Sequence, residues 1–241
     1  MEIVQSLGFS LRPESTPFAG SQILRFLDFS RPPALEFIRV EDEKAYREFL
    51  PPGMAPYSPG ISIVIDTNSK PALTDYANAF REWKPYPIHF DNEGGNDPAK
   101  PGTDYLNFAI PLVEKTFIYL SQSRDAGREH PVPPVHANTA ARVSGLVFDL
   151  PGESLKPLSS LAKLAPAEDN PAWGGVNIFD ELYLTPELRR RKKLFPLAAV
   201  VVETDALTLN PAPGTRLIRW LGKPSALVET NPMSWDIILT T

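Results

Sequence analysis

Twenty-seven of the 241 residues are proline, about 11% where ~5% is usual. Proline fixes φ and carries no amide hydrogen, so it breaks helix interiors and central strands. Long helices are therefore not expected, and many connections must be stiff. Four Trp, seven Tyr and 13 Phe shift the balance further, toward short strands joined by fixed turns.

Local patterns agree. Residues 34–40 set Leu35 and Phe37 apart from Glu36 and Arg39 and read as a strand. Residues 41–50 place Ala45, Tyr46, Phe49 and Leu50 at helical spacing, with acids in the first turn where the helix dipole favours them. Pro51-Pro52-Gly53 stops that helix. The β-branched run 61–66 reads as a strand, and the turn-forming stretch 91–104 as a loop. Further strands are expected at 105–113, 116–121, 142–150, 197–203 and 235–239, with a Pro-containing loop or short helix over 151–175. Thr185-Pro186-Glu187 resembles a capped helix start with Pro at the first position, opening a helix through residue 193. No βαβ rhythm and no internal repeat are seen. The expected class is β-rich α+β: one domain over 1–241, strands curled into a barrel, and short flanking helices.

Charge and cysteine narrow the function. Lys and Arg total 24 and Asp and Glu 29, a net charge of −5; with a pI near 5.3 this argues against a nucleic-acid partner. The run Arg189-Arg190-Arg191-Lys192-Lys193 sits near a helix C-terminus, where cations are favoured, and reads as a solvated face. The absence of cysteine removes disulfides, thiolate nucleophiles and zinc–sulfur sites. No apolar run approaches the ~18 residues of a membrane span, and Met1-Glu2-Ile3-Val4-Gln5 does not open a signal peptide. The expectation is a cytoplasmic protein with no membrane partner.

Three stretches together resemble the acetoacetate decarboxylase superfamily. The first is the strand and helix ending in Leu50-Pro51-Pro52-Gly53-Met54-Ala55-Pro56, followed by the run at 61–65. The second is Tyr119-Leu120, then Asp125-Ala126-Gly127-Arg128-Glu129 and Pro134. The third is Thr215-Arg216-Leu217-Ile218 with Asp236-Ile237-Ile238-Leu239. The resemblance covers about half of the chain and is weak in 67–104 and 150–196. It implies a cone-like barrel with an apolar internal cavity. It also implies a lysine that forms a Schiff base with a ketone, its pKa depressed by desolvation and an adjacent cation.

That lysine is missing. Counted from Gly127-Arg128-Glu129, Val135 and His136 occupy the places of the family's two lysines, and neither can form an imine. Of the ten lysines only Lys115 lies in an apolar strand context, beside Glu114. Histidine and carboxylates remain the natural proton-transfer groups. On the resemblance, His136 lies on the cavity wall as general acid or base. Glu129 assists it, Arg128 orients it or the substrate, and Val135 lines the substrate site. On the plainer reading Glu129 and Arg128 hold a loop and His136 is a partly buried polar residue.

Arg39, one residue offset, stands where the family has an arginine facing an anionic group; alternatively it pairs with Glu36 or Glu41 at a sheet edge. Tyr76 and Asn78 stand where the family has a Tyr-containing substrate segment, or are ordinary polar positions. His130 reads as a surface loop residue and His89 as a strand residue. His130 and His136 are six residues apart, nearly 19 Å in extended polyproline at ~3.1 Å per residue. A metal site with Glu129 and Asp125 is therefore not expected, nor is any cofactor. The resulting expectation is an enzyme of lyase, isomerase or cyclase type. It would act on an apolar, carbonyl-bearing secondary metabolite by proton transfer, and homo-oligomerisation is compatible with it. The alternatives are a non-catalytic carrier of an apolar ligand and a decarboxylase using a relocated lysine, Lys115.

Overall fold

The most continuously apolar run of the sequence, Leu197–Thr204, becomes an almost wholly buried strand near the centre of the largest sheet. The computed structural model describes residues 2–16, 22–30, 34–45, 61–67, 70–92, 103–113, 116–122, 135–164, 176–190, 195–205, 214–230 and 235–241. Its strands are β1 (Gln22–Leu27), β2 (Leu35–Val40), β3 (Ile61–Thr67), β4 (Tyr86–Asn92), β5 (Thr103–Val113), β6 (Thr116–Gln122), β7 (Ala140–Phe148), β8 (Asn177–Phe179), β9 (Leu197–Thr204), β10 (Thr215–Trp220), β11 (Lys223–Val228) and β12 (Asp236–Thr240). The helices are short: α1 (Glu2–Ser6), α2 (Lys70–Ala79), α3 (Lys156–Leu164) and α4 (Pro186–Arg189). The chain is strand-rich with short helices, as expected, and its two larger sheets are mixed.

The chain gathers into two compact units, Met1–Tyr46 with Pro131–Thr241, and Arg47–His130. The first unit contains the antiparallel pair β1–β2 and a six-stranded sheet in the order β10-β11-β12-β9-β7-β8. In that sheet β12 runs parallel to β9, and β9 antiparallel to β7. Both β9 and β12 are buried nearly throughout. That is why they read as uninterrupted apolar runs rather than as alternation. One face of this sheet carries a core of Val147, Val201, Leu227 and Ile238 packed with Leu184 and Leu188. Gly145 of β7 is required there: a Cβ would fall 2.7 Å from the Phe179 ring.

The second unit is a four-stranded sheet, β3-β6-β5-β4, with α2 following β3. Here β3 is parallel to β6, and the other pairs are antiparallel.

Among the described residues the sheets stay open and no barrel closes, which corrects the barrel expectation. At one end of the largest sheet β10 bonds only to β11; at the other, β8 is three residues long and bonds only to β7. Among the described residues nothing joins those ends.

Proline placement explains how the strands tolerate it. Pro87 is on the edge strand β4, and Pro111 lies at the irregularity in the β5–β6 ladder. Pro224 precedes the β11–β12 ladder, which begins at Ser225↔Thr240. All three positions spare an interior ladder hydrogen bond. Pro186 opens α4 behind the cap Thr185, whose Oγ1 accepts from the Leu188 amide at 3.4 Å. That helix ends at Arg189, and residues 191–193 of the expected extension lie outside the described residues. Of the helix expected over 41–50, residues 43–45 form a helical turn capped by Asp42, whose Oδ1 accepts from the Ala45 amide at 3.0 Å. Residues 46–50 of it, and most of the loop 91–104, lie outside the described residues.

Candidate functional site

His136 is the residue the sequence weighs most heavily, and the fold gives it a definite place. It begins a turn leading into β7 and is 4% exposed. Its Nδ1 accepts the Ser10 backbone N–H at 3.0 Å, so that nitrogen carries no hydrogen. Its Nε2 lies 2.7 Å from the Asp28 backbone oxygen and must donate to it. The ring is therefore the neutral Nε2–H tautomer. The rings of Phe9 and Phe29 meet it edge-on, at 5.7 and 5.5 Å between centroids. Burial holds the His136 pKa below its ordinary value, and the bond to the Asp28 backbone and the Asp28 charge only partly oppose this. The Asp28 carboxylate itself is held by the Arg12 guanidinium.

A general acid or base needs a nitrogen free to meet substrate, and both nitrogens of His136 are bonded to backbone. Its role in this fold is to tie the segment around Ser10 and Asp28 to the start of β7. Ser10 Oγ also donates to the Val135 carbonyl, and Asn138 Nδ2 to the Leu7 carbonyl, reinforcing the same seam.

The other expected site residues do not gather around it. Val135, expected to line a cavity, is 91% exposed. Arg39 is exposed and paired with Glu41, the sheet-edge arrangement. Asn78 is exposed on α2; Tyr76 is on the same helix, and its side chain lies outside the described residues. Arg128, Glu129, His130 and Lys115 also lie outside them, as does the side chain of His89. Among the described residues no three His, Asp or Glu side chains are grouped to hold a metal.

A different place has the form of a site. β10 and β11 make a hairpin whose two-residue turn, Leu221-Gly222, has φ of 49° and 81°. That is the paired positive φ of a tight hairpin turn. The Glu229 amide donates to the Gly214 carbonyl at 3.1 Å, which fixes the phase of the ladder. Bonded pairs alternate along an antiparallel ladder. Arg216, Ile218 and Trp220 thus turn their backbone groups toward β11, and Thr215, Leu217 and Arg219 turn theirs outward. Among the described residues no strand pairs with that outer edge.

Beside the edge runs a cleft of about 330 Å³, walled by residues 183–187 and by 217–221. Ile218 and Trp220 belong to the core face under Leu184 and Leu188. Leu217 is 72% exposed, Leu182 79%, and Leu221 and Tyr183 are exposed as well. Glu187 stands on the wall. Its carboxyl lies below the usual range because its own backbone amide and the Thr185 hydroxyl donate to it, with Arg190 and Arg216 adding a smaller electrostatic pull.

Little in the residues themselves points to this site: Leu-Gly is a poor hairpin signal beside Asn-Gly or Asp-Gly. Arg216 to Trp220 mixes arginine and apolar residues on both faces, so no period-two pattern marks the edge either.

No family model matches the chain, and no curated protein matches it. Solved structures similar to it include a 2,2',3-trihydroxybiphenyl 1,2-dioxygenase from the dibenzofuran-degrading Sphingomonas wittichii strain RW1. That structure is 12% identical, with 74% of this chain and 69% of the other covered and a TM-score of 0.39. BphC, a halotolerant catechol dioxygenase, is 9% identical over 97% and 78%, with a TM-score of 0.45. A xylose isomerase-like TIM barrel/4-hydroxyphenylpyruvate dioxygenase fusion protein is 10% identical over 99% and 45%, with a TM-score of 0.46. Similarity this distant assigns no activity to the chain.

No family match supports the resemblance to the acetoacetate decarboxylase superfamily. That resemblance is corrected, and with it the lyase, isomerase or cyclase reading and the proton-transfer chemistry built upon it. The physical reasons are local. No closed barrel forms among the described residues, Val135 faces solvent, and the His136 ring is fully bonded within the core.

Proposed function

We propose that this chain is a recognition protein that receives an extended segment of a partner polypeptide along the outer edge of β10. A sheet edge with unpaired amides and carbonyls is a template for one more strand. Main-chain bonds then supply affinity, and pockets beside the strand supply selectivity. The observation carrying this reading is the coincidence of the outward backbone groups of Thr215, Leu217 and Arg219 with the adjacent cleft. The exposed Leu217 and Leu221 support it, since apolar side chains clustered at an open edge favour association.

The test is a titration with a blocked octapeptide of alternating valine and threonine, followed by amide NMR. The expected result is a shift of the Thr215, Leu217 and Arg219 amides and slowed hydrogen exchange at Leu217. Leu217→Pro deletes one outward donor without touching the β11 ladder and should weaken binding. So should N-methylation of the peptide's alternate amides, which leaves the protein unaltered. Shifts confined to residues far from β10, or no shift, would overturn the reading.

A further inference from the structure

Resting on that reading, we infer that the partner strand carries two acidic residues separated by two apolar ones, in register with Arg216, Leu217, Ile218 and Arg219. Residues directly opposite one another on neighbouring strands share a face and interact. An added strand of either direction therefore meets these four side chains with four consecutive residues. Leu217 and Ile218 ask for apolar partners, one on each face, and the arginines that bracket them ask for acids. The pattern is acid–apolar–apolar–acid.

Charge at this edge departs from the rest of the chain. Of the 24 bases and 29 acids, segments 181–190 and 214–223 together hold five and two. Arg216 is 56% exposed and meets Glu229 at 3.1 Å through Nη2. Arg219 is exposed and donates through Nη1 to the Gly222 carbonyl at 3.0 Å. Each guanidinium has five N–H donors in a planar fork suited to a carboxylate. An exposed pair such as Arg216–Glu229 contributes little and exchanges readily. Arg190 is exposed just beyond the cleft wall in sequence and, with Arg216, pulls electrostatically on Glu187, so positive charge adds to that side. A second copy of this chain at the same edge would bring two more arginines to the seam, which like-charge repulsion disfavours.

The experiment compares three acetyl- and amide-blocked hexapeptides with threonine at both ends. Their cores are glutamate-valine-leucine-glutamate, its glutamine counterpart and its lysine counterpart. Binding is followed by the Leu217 amide shift and by calorimetry at low and high salt. The acidic peptide should bind roughly fivefold more tightly than the glutamine peptide at low salt, and the lysine peptide most weakly. High salt should shrink the preference. Arg216→Gln with Arg219→Gln should abolish the preference while the Leu217 amide still shifts with the glutamine peptide.

Equal affinity for all three peptides would overturn the acidic pattern and leave strand addition standing. No shift at Leu217 with any peptide would overturn strand addition itself. Tighter binding of a single-stranded oligoribonucleotide at the same amides would make the edge a nucleic-acid surface. Dimerisation in the absence of peptide, with Leu217 already protected, would make a second copy the occupant. Either result overturns the inference.

Discussion

His136 and the edge of β10 lie in the same unit and differ in one decisive respect. The histidine has a versatile side chain with both nitrogens already bonded inside the core. The edge is built from ordinary residues, yet its outward backbone groups have no strand partner among the described residues. Residue type alone favours the first as a functional group; bonding capacity left over after folding favours the second. A reactive side chain is available for function only if the fold has not already used it.

Of all single changes, His136→Ala should cost the fold most. It should leave the Ser10 amide and the Asp28 carbonyl unpaired in a space lined by Phe9 and Phe29. A loss of about 3 kcal/mol is expected from the cavity and the orphaned polar groups. Denaturant unfolding reads that loss, and the Leu217 amide should still respond to peptide in the fraction that remains folded.

A paired substitution on β10 comes next. Ile218→Pro removes an inward donor of the β11 ladder, and about 1–3 kcal/mol should be lost. Leu217→Pro removes only an outward donor, so its melting curve should stay close to that of the unaltered protein. A larger loss for Leu217→Pro than for Ile218→Pro would show that the ladder phase of β10 is inverted.

The smallest effect concerns pH. Burial lowers the folded-state pKa of His136, so the unfolded chain binds the proton more readily. The stabilisation is fully present above the unfolded value, near 6.5. It falls as pH drops from there toward the folded value, by at most about 1.4 kcal/mol per pH unit. Stability measured across that window should slope downward into acid, and His136→Gln should flatten the slope.

Parts of the molecule were legible from residues alone. The apolar runs at 197–203 and 235–239 became β9 and β12 within a residue of the expected ends, because strands buried on both faces keep their central positions apolar. Thr185-Pro186 marked the start of α4 because cap and proline chemistry are local. The expected strand at 34–40 became β2, but its partner β1 went unread, since Gln22–Leu27 puts Arg25 between Leu24 and Phe26 and shows no clean alternation. α2 was missed as well: Lys70–Ala79 mixes Thr74, Asp75 and Asn78 among small residues and has only a weak apolar stripe.

The environment of His136 could not be read from its neighbours, because its partners are 126 and 108 positions away in the chain. A motif-based placement of residues 135 and 136 assumed a barrel wall there. The fold instead bonds one of them into a seam and exposes the other.

The position of β12 has a consequence for how the molecule is made. This strand lies between β11 and β9, although it spans residues 236–240. On the ribosome, β7 and β9 emerge while the neighbour that bridges β9 to β11 has not been translated. Until residue 240 is clear of the exit tunnel, one flank of β9 is an unsatisfied apolar ribbon, the kind of nascent surface that attracts chaperones. The residues of the second unit, emerging earlier, need not wait for it.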